Sequence, residues 1–337
     1  MSEIYNLNKN PVISTVGTYI NTSDNSCSCE TELNYIGLDT SNYTTSAAIY
    51  SKNNKIQNMK KLLPVIHGAL GLRQNDAVFN HCKQLPEVFE GLKFTAGSIK
   101  AIAVSNRPRN TVDSYMPCFT VGDSFAVVLG KSLNIPVYRF SHQQGHIASG
   151  IISCGRFDLE NKSFLSFHLS GGTTELLYCN GYENISLLLS TTDITAGQLI
   201  DRAGVKLGLH FPCGVELEKL AFKGKLPEKP KITLKNGCCC LSGFENKIDL
   251  FIKNNINPKD IALYVLEAVK LNIKSMIEFV IETYGGTIPI LFVGGVSSNK
   301  NIRNYLTDNY NALFAEPDLS CDNAVGIARL AMLENNK

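Results

Sequence analysis

The chain has no apolar run approaching the roughly 18 residues that a membrane-spanning helix needs. Its first residues, MSEIYNLNKNPVIST, hold no basic segment followed by an apolar one. Neither a membrane span nor a secretory signal is expected, and the cytoplasm is the expected compartment. A surplus of one charge is also lacking: 32 Lys+Arg stand against 30 Asp+Glu, a formal net charge of +2. Any nucleic-acid partner must then be gripped by a local patch or with another subunit's help, because no protein-wide basic field exists. Regular cysteine spacing is missing. The eleven cysteines are scattered, with one run, Cys238 to Cys240, that matches no zinc pattern; this fits a reducing compartment better than a disulfide framework. No short-period repeat or low-complexity tract occurs, which excludes solenoids and propellers.

What remains is a globular composition, 337 residues with 44% hydrophobic and 18% charged, long enough for two lobes at roughly 150 residues each. Residues 1–33 are rich in Asn, Ser and Thr and are expected to be a poorly ordered leader. From Tyr35, YIGLDTSNYTTSAAIYS reads as two strands around the polar turn Asp39 to Asn42. A helix is expected over Ala77 to Leu92, a buried strand over Ile99 to Ser105, a helix over Thr120 to Leu133, and a strand over Ile135 to Ser141. FLSFHLSGGTTELLYC (164–179) repeats the opening hairpin and suggests a duplicated architecture. A long helix over Asp260 to Thr283 and a buried strand over Ile288 to Gly295 follow, with helices to about Leu333. The alternation indicates an α/β protein, expected as lobes 34–146, completed by a helix at 322–337, and 147–321.

Four local patterns carry chemistry. In His142-Gln143-Gln144-Gly145-His146 the spacing puts both imidazoles on one face of a helix starting there, which is metal-ligand spacing. Two histidines do not complete a divalent site, so an acid from elsewhere is needed, and Asp322, at the head of a late helix, is a candidate. The competing reading is that the pair merely caps or packs. A zinc peptidase is disfavoured, since the residue after the first His is Gln143 rather than a basic Glu. Ser170-Gly171-Gly172-Thr173-Thr174 offers backbone N–H groups to an anion, or is only a turn. Gly294-Gly295-Val296-Ser297-Ser298-Asn299 follows a buried strand, where ligands bind in α/β sheets, but lacks the third glycine of a dinucleotide fingerprint. Asp201 sits mid-helix in Asp193 to Leu207, either for a ligand hydroxyl or as part of a solvated charged pair with Arg202.

Taken in order, GLDTS (37–41), HQQGH (142–146), LSGGTTEL (169–176), AGQLIDRAGVKLGL (196–209), LSGF (241–244), VGGVSSN (293–299) and CDNAVGIA (321–328) resemble the bacterial TsaD family, the tRNA N6-adenosine threonylcarbamoyltransferases once called O-sialoglycoprotein endopeptidases. The resemblance implies the two-lobed ASKHA fold of actin and sugar kinases, with nucleotide in the cleft. It implies metal ligands at His142, His146 and Asp322, with Fe(2+) favoured and Zn(2+) the alternative. It places threonylcarbamoyl-AMP contacts at Leu169, Ser170, Gly171, Gly172, Asp201, Gly214 and Asn299. The implied reaction moves the threonylcarbamoyl group from that adenylate to the exocyclic amine of the adenosine beside the anticodon, in tRNAs reading codons that begin with A, with no covalent enzyme intermediate. The implied partners are tRNA, the ATP-derived adenylate, a smaller TsaB-like paralogous subunit and a TsaE-like ATPase.

Departures from the family pattern are Asn42-Tyr43 for an acidic pair, Arg107-Pro108-Arg109 in a loop usually rich in glycine, Gln144 and Gln198 for Glu, Thr173 for His and Glu245 for Lys. Arg107 and Arg109 suit a phosphate, or form a solvated basic loop. Two other readings follow from these departures: a non-catalytic nucleotide-binding scaffold subunit, and an ATP-dependent carbamoyltransferase or kinase of the same fold.

Overall fold

The computed structural model describes residues 16–20, 32–41, 43–64, 72–111, 113–286, 288–320 and 323–337. Strands β1 (Val16–Ile20), β2 (Asn34–Asp39), β3 (Thr44–Ser51) and β4 (Ile56–Leu62) precede helix α1 (Gln74–Glu90). Then come β5 (Ile99–Arg107), α2 (Phe119–Leu133), β6 (Val137–Ser141) and α3 (His142–Ser153). The second half runs β7 (Ser163–Leu169), β8 (Thr174–Asn180), β9 (Asn184–Ser190), α4 (Ala196–Lys206), α5 (Gly214–Ala221), β10 (Leu234–Lys235), β11 (Cys238–Cys239), α6 (Ser242–Lys253) and α7 (Pro258–Tyr284). It closes with β12 (Ile290–Val293), α8 (Lys300–Asn309), β13 (Ala312–Phe314), α9 (Pro317–Ser320) and α10 (Ala324–Asn335).

The two main sheets share one plan. In the first, the order is β1-β4-β3-β2-β5-β6; in the second, β13-β12-β7-β8-β9. Each has an antiparallel meander (β2-β3-β4 and β7-β8-β9) whose first strand also pairs in parallel with a later one, β5 or β12, and that strand with the next, β6 or β13. The duplicated mixed sheet anticipated from the paired hairpins is the observed architecture.

Sequence chemistry explains the main elements. β2 and β5 read as near-continuous apolar runs because both their faces are covered: Ile36, Leu38, Ile102 and Val104 pack under α1 and α2, while Tyr35, Ala101 and Ala103 pack under α10. α3 starts at Ser141, whose side chain accepts from the Gln144 N–H while the Gln144 side chain accepts from the Ser141 N–H, a capping box. α7 opens on Asn257 and Pro258 and stops at Gly285, which has φ +71°.

Glycines set the central layer. A Cβ on Gly37 of β2 would run into backbone atoms of Ala324 and Ala328 in α10, and one on Gly326 of α10 into backbone atoms of Gly145 and Ser149 in α3. On its other side α3 packs Ile147 and Ile151 against Leu177, Leu291 and Val293 of the second sheet. The last helix therefore lies on the first sheet, α3 lies on the second, and backbone contact joins them.

Two expectations are corrected. Residues 1–33 were expected to lack order, yet Val16–Ile20 is β1, antiparallel to β4 over Val16↔Lys60 to Ile20↔Ile56; VGTYI is a short run of strand formers that covers an otherwise open sheet edge. The remaining residues up to 31 lie outside those described. The expected helix from Asp193 begins only at Ala196, because Thr195 takes the N-cap and the Asp193 carboxylate is held by the Ser242 hydroxyl and the N–H groups of Leu241 and Ser242. A lobe division at 146/147 falls inside the continuous helix α3.

Candidate active site

The site grows from the junction of β6 and α3. Because the helix begins at His142, the two imidazoles of the motif share one face of its first turn, with ring centroids 4.6 Å apart at 70°. His142 Nδ1 lies 2.7 Å from Asp39 Oδ2 at the end of β2. Asp39 is 1% exposed and its other oxygen accepts from the Ser41 N–H at 2.9 Å. Burial alone would raise its pKa, but the charge and hydrogen bond of His142, with side-chain bonds from Ser105 and Asn323, hold it below the ordinary carboxylate value. A carboxylate at Nδ1 fixes that nitrogen as the donor and turns the Nε2 lone pair outward. Asn323, immediately before α10, places its amide nitrogen 2.5 Å from Nδ1 and 3.0 Å from Nε2.

A third imidazole joins the pair. His168 of β7 stands 4.4 Å from the His146 ring. His146 is held neutral far below its ordinary value, by burial first and then by His168 and His142; burial, His142 and Arg109 push His168 down to about 3. Among the described residues His146 Nδ1 and His168 Nε2 are buried without a hydrogen-bond partner, an arrangement that costs stability unless another group takes those atoms. Opposite His168 across the β7-β8 ladder, Glu175 is buried and pairs with Arg109 at 2.6 Å, and Gln143 Nε2 lies 3.4 Å from its second oxygen. Arg109 thus ties the β5-α2 loop to the second sheet, while the Arg107 guanidinium is taken by Asn106 and Asn110.

β7 runs on from His168 into Leu169 and the turn Ser170-Gly171-Gly172. Gly171 and Gly172 are exposed, and a Cβ on either would meet nothing within 4 Å. The turn is anchored from behind: Thr195 Oγ1 donates to the Gly171 carbonyl at 2.8 Å, Gly197 of α4 leaves room for the Ser170 and Gly171 backbone, and Gly294, φ +94°, lies against Leu169. Asp201, on α4, accepts from the Cys213 N–H at 2.8 Å, next to Gly214 at the start of α5, and burial raises its pKa. Asn299 caps α8 by accepting from the Ile302 N–H at 3.1 Å, and Glu218 of α5 accepts from the Lys300 N–H at 2.7 Å. Gly197 of α4 and Gly294 after β12 thus back the turn that ends β7, while Asp201 is held by the Cys213 N–H before α5 and Asn299 stands at the head of α8. Asp201 does not pair with Arg202, whose guanidinium goes to Glu245 at 3.0 Å.

Iron and zinc both take neutral imidazole nitrogens. His142, oriented by a carboxylate, and His146, buried and neutral, fit that donor type. The expected acid, Asp322, lies outside the described residues, and among those described no group of three His, Cys, Asp or Glu side chains converges as a metal cage. Sequence reasoning passed over Asp39 as a partner, His168, Glu175 and Asn323. Only His168 left a local trace, a histidine inside an otherwise apolar strand.

Two mixed sheets of one duplicated plan make the ASKHA fold. Among solved structures, Thermococcus kodakarensis HypF superposes with a TM-score of 0.61 at 17% identity, covering 90% of this chain and 49% of that one. Component A of the (R)-2-hydroxyglutaryl-CoA dehydratase of Acidaminococcus fermentans gives 0.58 at 14%, covering 90% and 100%. These likenesses are of fold. The family model described as TsaD, tRNA N6-adenosine threonylcarbamoyltransferase, matches residues 76–329. The chain belongs to the TsaD family. Proteins of that name from Nautilia profundicola, 30% identical over 75% of this chain and 77% of the relative, and Christiangramia forsetii, 27% over 88% and 92%, are among its relatives.

Proposed function

We propose that the chain transfers a threonylcarbamoyl group from threonylcarbamoyl-AMP to the exocyclic amine of the adenosine beside the anticodon, in tRNAs that read codons beginning with A. The observation that carries this reading is the continuity of β7, which joins His168, packed on His146 and through it on His142, directly to the open glycine turn at 170–172. An acyl-adenylate has its phosphate and its carbonyl a bond apart, and this strand places an anion cradle and an imidazole cluster as sequence neighbours.

In the reaction the amine nitrogen bonds to the carbamoyl carbon, the bond from that carbon to the phosphate oxygen breaks, AMP leaves with the electron pair, and the proton the amine sheds passes to water. The Gly171 N–H receives the phosphate, joined by the Gly172 N–H, which turns to it from the Ser170 hydroxyl that it meets at 3.3 Å. Asp201 and Gly214 hold the nucleoside hydroxyls. Asn299 offers its amide N–H, because its oxygen caps α8. Asp39 holds His142 in one tautomer. His142 and His146, with Asp322, would hold a divalent metal, Fe(2+) or Zn(2+), which would supply Lewis-acid polarisation of the carbonyl. Held in the cytoplasm, the chain works with a smaller TsaB-like subunit and a TsaE-like ATPase; no helix among the described residues is long and apolar enough to cross a membrane.

Mass spectrometry of tRNA nucleosides decides the matter. A strain lacking the chain loses threonylcarbamoyladenosine, and the intact chain, but not His142→Ala, restores it. Normal levels in the deletion strain refute the proposal.

A further inference from the structure

A protein of formal net charge +2 has its free cations unevenly placed. Between 219 and 235, Lys219, Lys223, Lys225, Lys229, Lys231 and Lys235 are all exposed. The one acid in the stretch, Glu228, is paired with Lys247 at 2.8 Å. Among the described residues none of the six lysines has an ion-pair partner, whereas the neighbouring Lys206 and Arg202 are paired with Asp249 and Glu245. Phe222 is 71% exposed, with the Lys223 ammonium 5.5 Å from its ring centre. Exposed aromatic surface among unpaired cations suits a polyanion that also carries flat bases.

The segment leaves and rejoins the rim of the nucleotide pocket. It begins after α5, whose first turn is tied to Asp201 through the Cys213 N–H, and it returns at β11, where the Cys239 carbonyl accepts from the Thr192 N–H at 2.9 Å, three residues before the Thr195 that anchors the glycine turn. We infer that this lysine ribbon is the docking surface for the phosphate backbone of the nucleic acid whose adenosine enters the pocket. The inference rests on the transferase reading and deepens it by supplying the local patch that a neutral chain needs. An anionic membrane is the less suitable partner: residues 222–233 hold no helix and contain Pro227 and Pro230, so no amphipathic face is available to lie in a bilayer interface.

The test uses the full chain with Lys223→Gln, Lys225→Gln, Lys229→Gln and Lys231→Gln combined, and filter binding of an unmodified tRNA transcript over a salt series. Each lost phosphate contact removes roughly 0.7–0.9 from the slope of log affinity against log salt. The quadruple variant is expected to bind at least about tenfold more weakly, with a slope shallower by roughly 3, while its melting temperature and its binding of AMP stay at wild-type values. Lys52→Gln, Lys83→Gln and Lys131→Gln together, on the first half, leave both affinity and slope unchanged. The inference is overturned by unchanged tRNA binding in the quadruple variant, by a wild-type chain that holds no tRNA, or by a loss seen only with phosphatidylglycerol vesicles. The two proposals fail separately: persistent modification in the deletion strain ends the transferase reading, and an unchanged salt slope ends the ribbon.

Discussion

Asp39→Asn isolates the orienting role of a side chain that touches no substrate. Asparagine is nearly isosteric, and its oxygen keeps the 2.9 Å bond from the Ser41 N–H, so the end of β2 retains its geometry. What changes is the partner of His142. The carboxylate 2.7 Å from Nδ1 accepts a proton there; an amide turned to keep Ser41 presents its N–H₂ instead, which drives the ring proton to Nε2 and removes the outward lone pair. Losing a partner that orients a metal-binding imidazole costs on the order of 10–100-fold in metal affinity, or about 1.4–2.8 kcal/mol. Anaerobic competition of Fe(2+), and separately of Zn(2+), against a fluorescent chelator measures this directly, with plasma mass spectrometry for stoichiometry. His142→Ala should bind still more weakly. A variant whose affinity stays within about twofold of wild type, in a protein of unchanged circular dichroism, refutes the idea that Asp39 sets the tautomer of a ligand.

Three further outcomes test other parts of the structure. His81 is fully buried against Thr45, and burial pushes its pKa down to about 4 from 6.5. The unfolded chain therefore binds the proton first as pH falls, so the stabilisation is complete above about pH 6.5 and is lost progressively down to about pH 4, to the extent of roughly 3 kcal/mol; urea unfolding at several pH values should show a steeper acid loss for wild type than for His81→Gln. Gly37→Ala sets a methyl against α10 backbone and should cost about 1–3 kcal/mol by thermal melting, whereas Gly171→Ala, with open space around it, should melt like wild type but bind AMP more weakly. Gln144 is buried and its Nε2 also donates to the Tyr182 carbonyl at 3.1 Å. Gln144→Glu keeps the capping acceptor but loses that donor and sets a carboxylate against the carbonyl, and should cost about 1–3 kcal/mol by urea unfolding at pH 7; wild-type stability in the variant refutes the donor's contribution.

The legible parts of the fold were those decided locally. Ile99 to Ser105 reads as a buried strand because its apolar run is continuous, and α3 begins where Ser141 and Gln144 cap it. β1 was invisible because five residues in a polar stretch become a strand only through the edge of β4, some forty positions on. The site divides in the same way. The two histidines four apart announced themselves by spacing, but Asp39 lies 103 residues from His142 and meets it only when β2, β6 and α3 assemble. His168 was hidden by its setting: both faces of β7 are covered, Leu165, Phe167 and Leu169 packing into the core with α4 and α7 and Phe164 into the core with α3, so the alternation that marks a half-exposed strand is absent and the histidine is masked by its apolar neighbours.

The same distinction bears on the departures from the family pattern, which first suggested a chain that had lost or changed its activity. Gln144 and Gln198 each stand at the third position of a helix whose cap is Ser141 or Thr195, and each returns a hydrogen bond to the cap's N–H. As capping acceptors Glu and Gln are equivalent there, so the backbone geometry that holds His146 and the glycine turn is kept, and Gln144 adds a bond that only the amide makes, from Nε2 to the Tyr182 carbonyl at 3.1 Å. Glu245 for Lys is compensated by Arg202, which pairs with it, and Arg109 is spent on buried Glu175 rather than left free for a phosphate. Thr173 contributes its carbonyl to the Ser170 N–H, a bond that does not depend on its side chain. These five exchanges, at Arg109, Gln144, Thr173, Gln198 and Glu245, therefore fall on groups that build the frame around the turn and the histidines. A scaffold freed from catalysis would have no physical reason to bury three imidazoles together with two nitrogens that have no partner among the described residues, since an unpartnered buried nitrogen costs stability.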